Sequence, residues 1–314
     1  MPLLADYAIT PDVFDVTSYS NEEVCGLHLS EIRQVMMNEG LVRDLREGEW
    51  RRLFASGDRP WHRWAKEIVR KLATHGRLVD MPAARVDAPT SDQEWCHEAL
   101  LGHEQDAMTG GVIVTQAVKE AHANEALVEQ VDRLSSKAKW WMPHRSSVRV
   151  DRKLADFRQN LDPILRCANS LQFVDPHLNP GHRRYSQFAD LLVAAGSRTP
   201  APTVEIHRVC YEGSGPNRVI VDYGELEQVF HDHLTVPLQA AGLRTEVFLW
   251  DDFHDRYLIS NLMGISLPNG FDTTTRPRDL TTWTRLGAAD RDDVQREFDE
   301  ASRRHTLQAK FTLP

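Results

Sequence analysis

Helix and strand patterns alternate along residues 154–266, and this alternation constrains the fold more than any other feature of the sequence. Apolar residues at helical spacing are followed three times by a short run typical of a strand, and two further strand patterns come after them. The strand-like runs are SLQFVDPHL, TVEIHRVCYE, RTEVFLW, HDRYLISN and GISLP. Strands that alternate with helices of this length indicate a largely parallel or mixed sheet covered by helices. The second half is therefore predicted to be an α/β domain.

The first half shows mainly helical patterns. The segment EEVCGLHLSEIRQVMMNEGLVRDL has the spacing of an amphipathic helix, and SGDRPWHRWAKEIVRKLATHGRLV indicates a second helix, with Gly76 placed after its end. Short strand patterns occur in RLVDMPAARV and GGVIVTQ. We therefore expect residues 1–136 to form a mainly α domain that precedes the α/β domain.

A basic segment, residues 137–153, separates the two halves. It contains four cations that we expect to contact nucleic acid: Lys137, Lys139, Arg145 and Arg149. Trp140 and Trp141 lie among them, and cations with aromatic rings suit phosphates and stacked bases. The alternative is that the two tryptophans are buried at a domain junction. We interpret this segment as a linker, followed by the α/β domain at 154–290 and a charged helix and tail at 291–314.

Composition limits the compartment and the cofactors that we expect. The chain has 314 residues, 41% of them hydrophobic, and no apolar run of membrane-spanning length. The four cysteines are widely spaced, so no zinc knuckle or disulfide framework is expected. His231 and His233 lie two apart in a helical pattern and point to different faces, which disfavours a metal site. A cytoplasmic protein without a cofactor or a membrane partner is expected, and the net charge of −9 leaves nucleic-acid binding to local patches.

The stretch DDFHDRYLISN, residues 251–261, lies where a ligand site is expected. His254 and Arg256 follow the strand that ends at Trp250, and ligands of such sheets bind at the loops beyond the strand ends. Other polar residues that we expect at the same rim are Asp175, His177, Arg183, Arg184 and Asp255. Asp175 precedes a proline, so a role as a turn cap is an equal alternative. If these residues converge, they form an anion pocket.

The segments LQFVDPHLNP and FHDRYLISNLMGISLPNGFD resemble the phospholipase D-like superfamily. The resemblance is to the variant found at the C-terminus of MIT-domain proteins and in many prokaryotic proteins, and it covers roughly residues 155–290. His254, Asp255 and Arg256 match the His-x-Lys of the active signature, with Arg in place of Lys. Asn261 falls where the signature has Asp.

The resemblance implies a metal-independent chemistry. In active members one histidine attacks phosphorus, a second protonates the leaving oxygen, and lysines hold the phosphate. His254 would be the nucleophile and Arg256 the phosphate clamp, whereas Asn261 could orient the imidazole without supplying a countercharge. A homodimer would bring two copies of His254 together. His207 is an alternative second histidine, although a structural role within a strand is favoured.

These observations favour a nucleic-acid-binding protein with a degenerate phospholipase D-like site, and we expect it to belong to a prokaryotic defence or DNA-processing complex. The first alternative is a phospholipase D-type nuclease that acts through His254 as a homodimer. The second is a non-catalytic subunit of a protein complex, in which His254 and Arg256 would be buried and paired with acids. Lipid head-group binding is disfavoured, since no basic amphipathic helix with exposed aromatic residues is evident.

Overall fold

The computed structural model describes residues 3–57, 59–141, 146–196, 198–213 and 215–314. The chain divides into two compact units, residues 4–145 and residues 146–314, and Leu3 groups with the second. No helix in the described residues is long and apolar enough to cross a membrane.

The first unit is built on a parallel sheet. Its strands are β1 (Ala5–Ile9), β2 (Gly40–Asp44), β3 (Leu78–Asp80), β4 (Val112–Val114) and β5 (Val128–Gln130). Their order across the sheet is β3-β2-β1-β4-β5, and every neighbouring pair is parallel. The helices are α1 (Glu22–Asn38), α2 (Leu45–Leu53), α3 (Ala65–Thr74), α4 (Asp92–Gln105), α5 (Gln116–Ala121) and α6 (Leu134–Lys137).

The expectation of a mainly α first domain is therefore wrong. The two short strand patterns correspond to β3 and β4, but β1, β2 and β5 also belong to the sheet. The strand β2 was not recognised in the sequence because it contains Arg43, and a sequence pattern does not predict that an arginine is buried. The Arg43 Nε donates to Asp6 at 2.6 Å, and this pairing with a carboxylate on β1 stabilises a charge inside the sheet.

The predicted linker is part of both units. Trp140 and Trp141 are buried in the first unit, where their rings lie 6.1 and 5.3 Å from the ring of Tyr7. The indole nitrogen of Trp140 also donates to the carbonyl of Ala126 at 3.1 Å. The alternative of buried packing thus describes the two tryptophans, which are unavailable for stacking on bases.

The second unit contains a mixed sheet of larger size. Its strands are β6 (Ser147–Asp151), β7 (Ser170–Val174), β8 (Thr203–Val209), β11 (Thr245–Trp250), β12 (Tyr257–Ser260), β13 (Gly264–Ser266), β14 (Leu280–Arg285) and β15 (Leu307–Leu313). Their order is β15-β11-β8-β7-β12-β13-β14-β6. β7, β8 and β11 are parallel, and the remaining pairs are antiparallel. A separate hairpin consists of β9 (Tyr211–Glu212) and β10 (Val219–Ile220).

Helices connect the strands of this sheet, as the alternating pattern predicted. They are α7 (Leu154–Cys167), α8 (Phe188–Ala195), α9 (Tyr223–Ala241) and α10 (Ala288–Glu297). The α/β prediction for the second half is confirmed. The predicted charged helix near the end of the chain is shorter than expected, because residues 307–313 pair with β11 as the edge strand β15.

Candidate functional site

Asp175 holds together the turn that follows β7. Its side chain is fully buried, and Oδ1 accepts a hydrogen bond from the backbone N–H of His177 at 3.1 Å. Two further donors come from elsewhere in the chain: the hydroxyl of Tyr185 at 3.2 Å and the backbone N–H of Phe271 at 3.2 Å. Burial raises the pKa of Asp175, and these donors oppose that effect. Asp175 is thus a turn cap, as one alternative held, that also joins three separate segments.

The hairpin that contains Phe271 can approach Asp175 because residue 270 is glycine. Gly270 has a φ of +62°, a conformation that disfavours other residues. A Cβ at this position would also overlap Oδ2 of Asp175. Glycine is therefore required at position 270 by both backbone conformation and space.

Arg256 lies against the same carboxylate. β12 pairs with β7 so that Tyr257 faces Val174, and this register places Arg256 beside Asp175. The Arg256 Nε is 3.6 Å from Oδ1 of Asp175, and its Nη1 donates to the carbonyl of His254 at 3.3 Å. The side chain is 27% exposed, so the guanidinium is oriented but still reachable by a ligand.

A cavity of about 880 Å³ opens beside Arg256 in the second unit. Its charged and imidazole side chains are Arg152, His177, His182, Arg183, Arg184, Glu212, Arg256, Asp272, Arg276 and Asp279. The structure therefore places Arg183, Arg184, His177 and Arg256 at one cavity. Arg152 and Arg276 were not anticipated as members of this site.

The cations of the cavity differ in whether an acid neutralises them. Arg152 donates to Asp272 at 2.5 Å and to Asp279 at 3.2 Å, so its charge is paired. The exposed guanidinium groups of Arg183, Arg184 and Arg276 have no ion pair within the described part of the chain. The cavity thus carries an excess of positive charge that is available to an anion.

A further cation lies buried next to the cavity. Arg208 is fully buried and donates to the carbonyls of Leu178 at 3.1 Å and Val209 at 3.0 Å. The carboxylate that approaches it is Glu212, at 3.9 Å. Burial lowers the pKa of Arg208, but an arginine remains charged in proteins. Sequence reasoning missed this residue because arginine inside a strand pattern normally faces solvent.

His177 is half-buried at the cavity wall. Burial lowers the pKa of its imidazole, and the charges of Arg256 and Arg208 lower it further. The ring is therefore neutral at neutral pH, and a neutral imidazole can both donate and accept a hydrogen bond.

His254 lies at the surface, outside the set of residues that line this cavity. Its side chain is 74% exposed, and its Nε2 is 3.9 Å from Oδ1 of Asp252. Asp252 itself accepts a hydrogen bond from the hydroxyl of Tyr211 at 2.5 Å and one from Arg218 at 3.0 Å. These donors hold the pKa of Asp252 below its usual value, so the carboxylate is ionised.

The exposure of His254 argues against a buried, purely structural pair. Asp255 is also exposed, and it lies beside Tyr257, where burial and then this carboxylate raise the pKa of the phenol to about 12. Asp255 faces solvent and does not line the cavity.

Asn261 cannot orient His254. It follows β12 at the end remote from His254, and its Oδ1 accepts from the backbone N–H groups of Asn169 at 2.7 Å and Ser170 at 3.4 Å. Seven residues of extended chain correspond to roughly 20 Å. Asn261 therefore fixes the loop before β7, and the acid that faces His254 is Asp252, which the sequence motif did not indicate.

His207 belongs to the core of the second unit. It is fully buried, and its ring stacks on Phe248 with a centroid distance of 4.7 Å. Both nitrogens are occupied: Nδ1 accepts from the indole of Trp250 at 3.1 Å, and Nε2 is 3.2 Å from Glu205. His207 is thus unavailable as a second catalytic histidine, as its favoured structural role implies.

Three of the four cations expected in the basic segment lie in the described residues, and they are divided between the two units. Lys137 and Lys139 are exposed in the first unit. Arg149 is exposed on β6 of the second unit, and Arg145 lies outside the described residues. In the described residues no group of three or more His, Cys, Asp or Glu side chains could hold a metal ion.

Comparisons with known proteins identify no family for this chain. No family model matches it, and no curated protein matches it. Among solved structures, the chain is similar to TrmBL2, an archaeal chromatin protein with a novel mode of DNA binding. The identity is 12%, the similarity covers 83% of this chain and 87% of that one, and the TM-score is 0.31. A likeness at this level does not bear on function.

Proposed function

We propose that the second unit binds the phosphate groups of nucleic acid in the cavity beside Arg256. The observation that carries this proposal is the set of unpaired guanidinium groups of Arg183, Arg184 and Arg276. One guanidinium group can donate hydrogen bonds to two oxygens of the same phosphate. A guanidinium group that has no acid beside it need not break an ion pair before it binds. Arg256 adds an oriented cation, and Arg208 adds a fixed charge in a medium of low polarity.

We further propose that this unit is a degenerate phospholipase D-like domain. The HDR segment precedes β12, and the NGFD hairpin packs against the turn that follows β7, so the two segments of the sequence resemblance are adjacent. Catalysis is expected to be weak or absent. His254 does not line the phosphate cavity, and Asp252 approaches it only at 3.9 Å between two exposed groups.

A second candidate function is a metal-independent nuclease. His177 supports it, because its ring lies 6.5 Å from the ring of Tyr211, whose hydroxyl donates to the same Asp252 that faces His254. A general acid and a nucleophile could then come from one chain rather than from a homodimer.

Fluorescence anisotropy with labelled single-stranded oligonucleotides in EDTA tests the binding proposal. The double variant Arg183→Gln, Arg184→Gln should weaken binding on the order of tenfold or more and make the dependence on log salt shallower by roughly 1 to 1.5. Its matched control is Arg158→Gln, Arg244→Gln, which removes the same charge from exposed sites outside the cavity. Equal losses in both double variants would refute a defined site.

The same samples decide between binding and cleavage. We expect no cleavage of labelled DNA or RNA in EDTA. Metal-independent cleavage that disappears in both His177→Ala and His254→Ala would instead establish the nuclease.

A further inference from the structure

Glu212 brings a negative charge into a cavity whose other free charges are positive. It lies on β9 with its side chain 55% exposed, and it lines the same cavity as Arg183 and Arg184. Its Oε1 accepts from the amide of Asn179 at 3.0 Å. The described residues place no hydrogen-bond donor on its Oε2, so this oxygen is free to accept one from a ligand.

The two other acids of the cavity have a different role. Asp272 and Asp279 both pair with Arg152, and this pairing satisfies them within the protein. The Oε1 of Glu212 also lies 3.9 Å from Nη2 of Arg208, which is too long for a hydrogen bond. It is thus the acid whose acceptor capacity is directed to whatever occupies the cavity.

A carboxylate repels a phosphate, so Glu212 would weaken binding unless the ligand supplies a donor to it. The ribose 2′-hydroxyl is such a donor, and it is the group by which proteins distinguish RNA from DNA. The cavity offers little surface on which a base could stack. Apart from histidines, the described cavity residues include one aromatic side chain, Tyr185, which is buried and bonded to Asp175.

We propose that the cavity selects a ribonucleotide backbone, with the arginines on phosphate and Glu212 accepting a hydrogen bond from a 2′-hydroxyl. This inference rests on the proposed phosphate-binding function and names its substrate class. It makes Glu212 a specificity-determining residue.

The test compares fluorescein-labelled oligouridylate with oligodeoxyuridylate of equal length, since the two ligands differ only in the 2′-hydroxyl. The wild-type chain should bind the RNA about tenfold more tightly, the usual effect of one hydrogen bond to a charged acceptor. In Glu212→Ala the ratio of the two dissociation constants should fall to about one. The ratio is the readout because loss of the negative charge strengthens binding of both ligands alike.

Glu225→Ala is the control, since Glu225 is an exposed acid on α9 that does not line the cavity. It should keep the wild-type ratio. Equal affinity of the wild-type chain for both ligands would overturn the inference while leaving phosphate binding intact. Preference for RNA that persists in Glu212→Ala would also overturn it. Failure to bind either ligand would refute the proposed function itself.

Discussion

Replacing Asp175 with alanine should destabilise the second unit far more than removing any one of its partners. Asp175→Ala leaves two backbone N–H groups and the hydroxyl of Tyr185 without their acceptor, and removes the carboxylate beside Arg256. An orphaned buried donor costs about 1 to 3 kcal/mol, and loss of the 3.6 Å contact with the partly exposed Arg256 adds about 1 kcal/mol or less. Because burial of this carboxylate is itself unfavourable, we expect a net loss on the order of 4 kcal/mol.

Tyr185→Phe is the matched comparison. It removes one hydrogen bond from Asp175 and leaves the other donors in place, so its cost should be about 1 kcal/mol. Asp175→Asn should lie between the two variants. An amide keeps the size of the side chain, but its NH₂ group cannot accept the hydrogen bond that one backbone N–H group donates to the carboxylate.

Native-state hydrogen exchange of the full chain, read by mass spectrometry on peptides from β7 and β12, reports on this region directly. Each 1.4 kcal/mol changes protection about tenfold, so Asp175→Ala should reduce it by roughly two to three orders of magnitude. Tyr185→Phe should reduce it by about tenfold or less. Similar protection in the two variants would refute the view that Asp175 joins three segments.

Three other perturbations follow from the structure. Gly270→Ala should weaken oligonucleotide binding and lower the melting temperature, because the new Cβ would overlap Asp175. The control Gly224→Ala, at an ordinary φ in α9, should do neither. Equal effects of the two variants would contradict the steric argument. Burial raises the pKa of Asp92 from 3.8 to about 7, so the free energy of unfolding of the first unit should fall by roughly 2 to 4 kcal/mol as pH rises from 4 to 8. Urea titrations of Asp92→Asn should show a smaller fall over this range. A pH profile unchanged from that of the wild-type chain would contradict the prediction. Burial lowers the pKa of His207, so its contribution has the opposite sign: it is present above pH 6.5 and lost in acid, and His207→Phe should reduce the acid sensitivity of the second unit in the same titrations.

The sequence predicted the second sheet better than the first for a physical reason. Strands such as TVEIHRV and TEVFLW are seven and six residues long and rich in β-branched and aromatic residues, and helices of clear period separate them. In the first unit the strands are three to five residues long, and the acids that neutralise Arg43 inside β2 are Asp6 and Asp106, both far away in sequence. No local pattern records such a pairing.

The candidate site was predictable where residues follow a strand directly. Asp175, His177 and Arg256 were identified because the loops beyond strand ends converge. Arg276 was missed because it lies beyond the NGFD motif in the same loop, and Glu212 was missed because its hairpin carries no motif. Asn261 was misassigned because a linear spacing does not tell which end of a strand a residue occupies.

The position of β6 at the edge of the second sheet has a consequence for how this unit folds. β6 pairs with β14, so that Asp151 lies opposite Leu280 although most of the sequence of the unit separates them. Such distant contacts form slowly, because the intervening chain loses entropy before the contact stabilises it. Arg152 follows β6 directly and donates to Asp272 and Asp279. During refolding, ligand binding should therefore recover later than the circular dichroism of the helices.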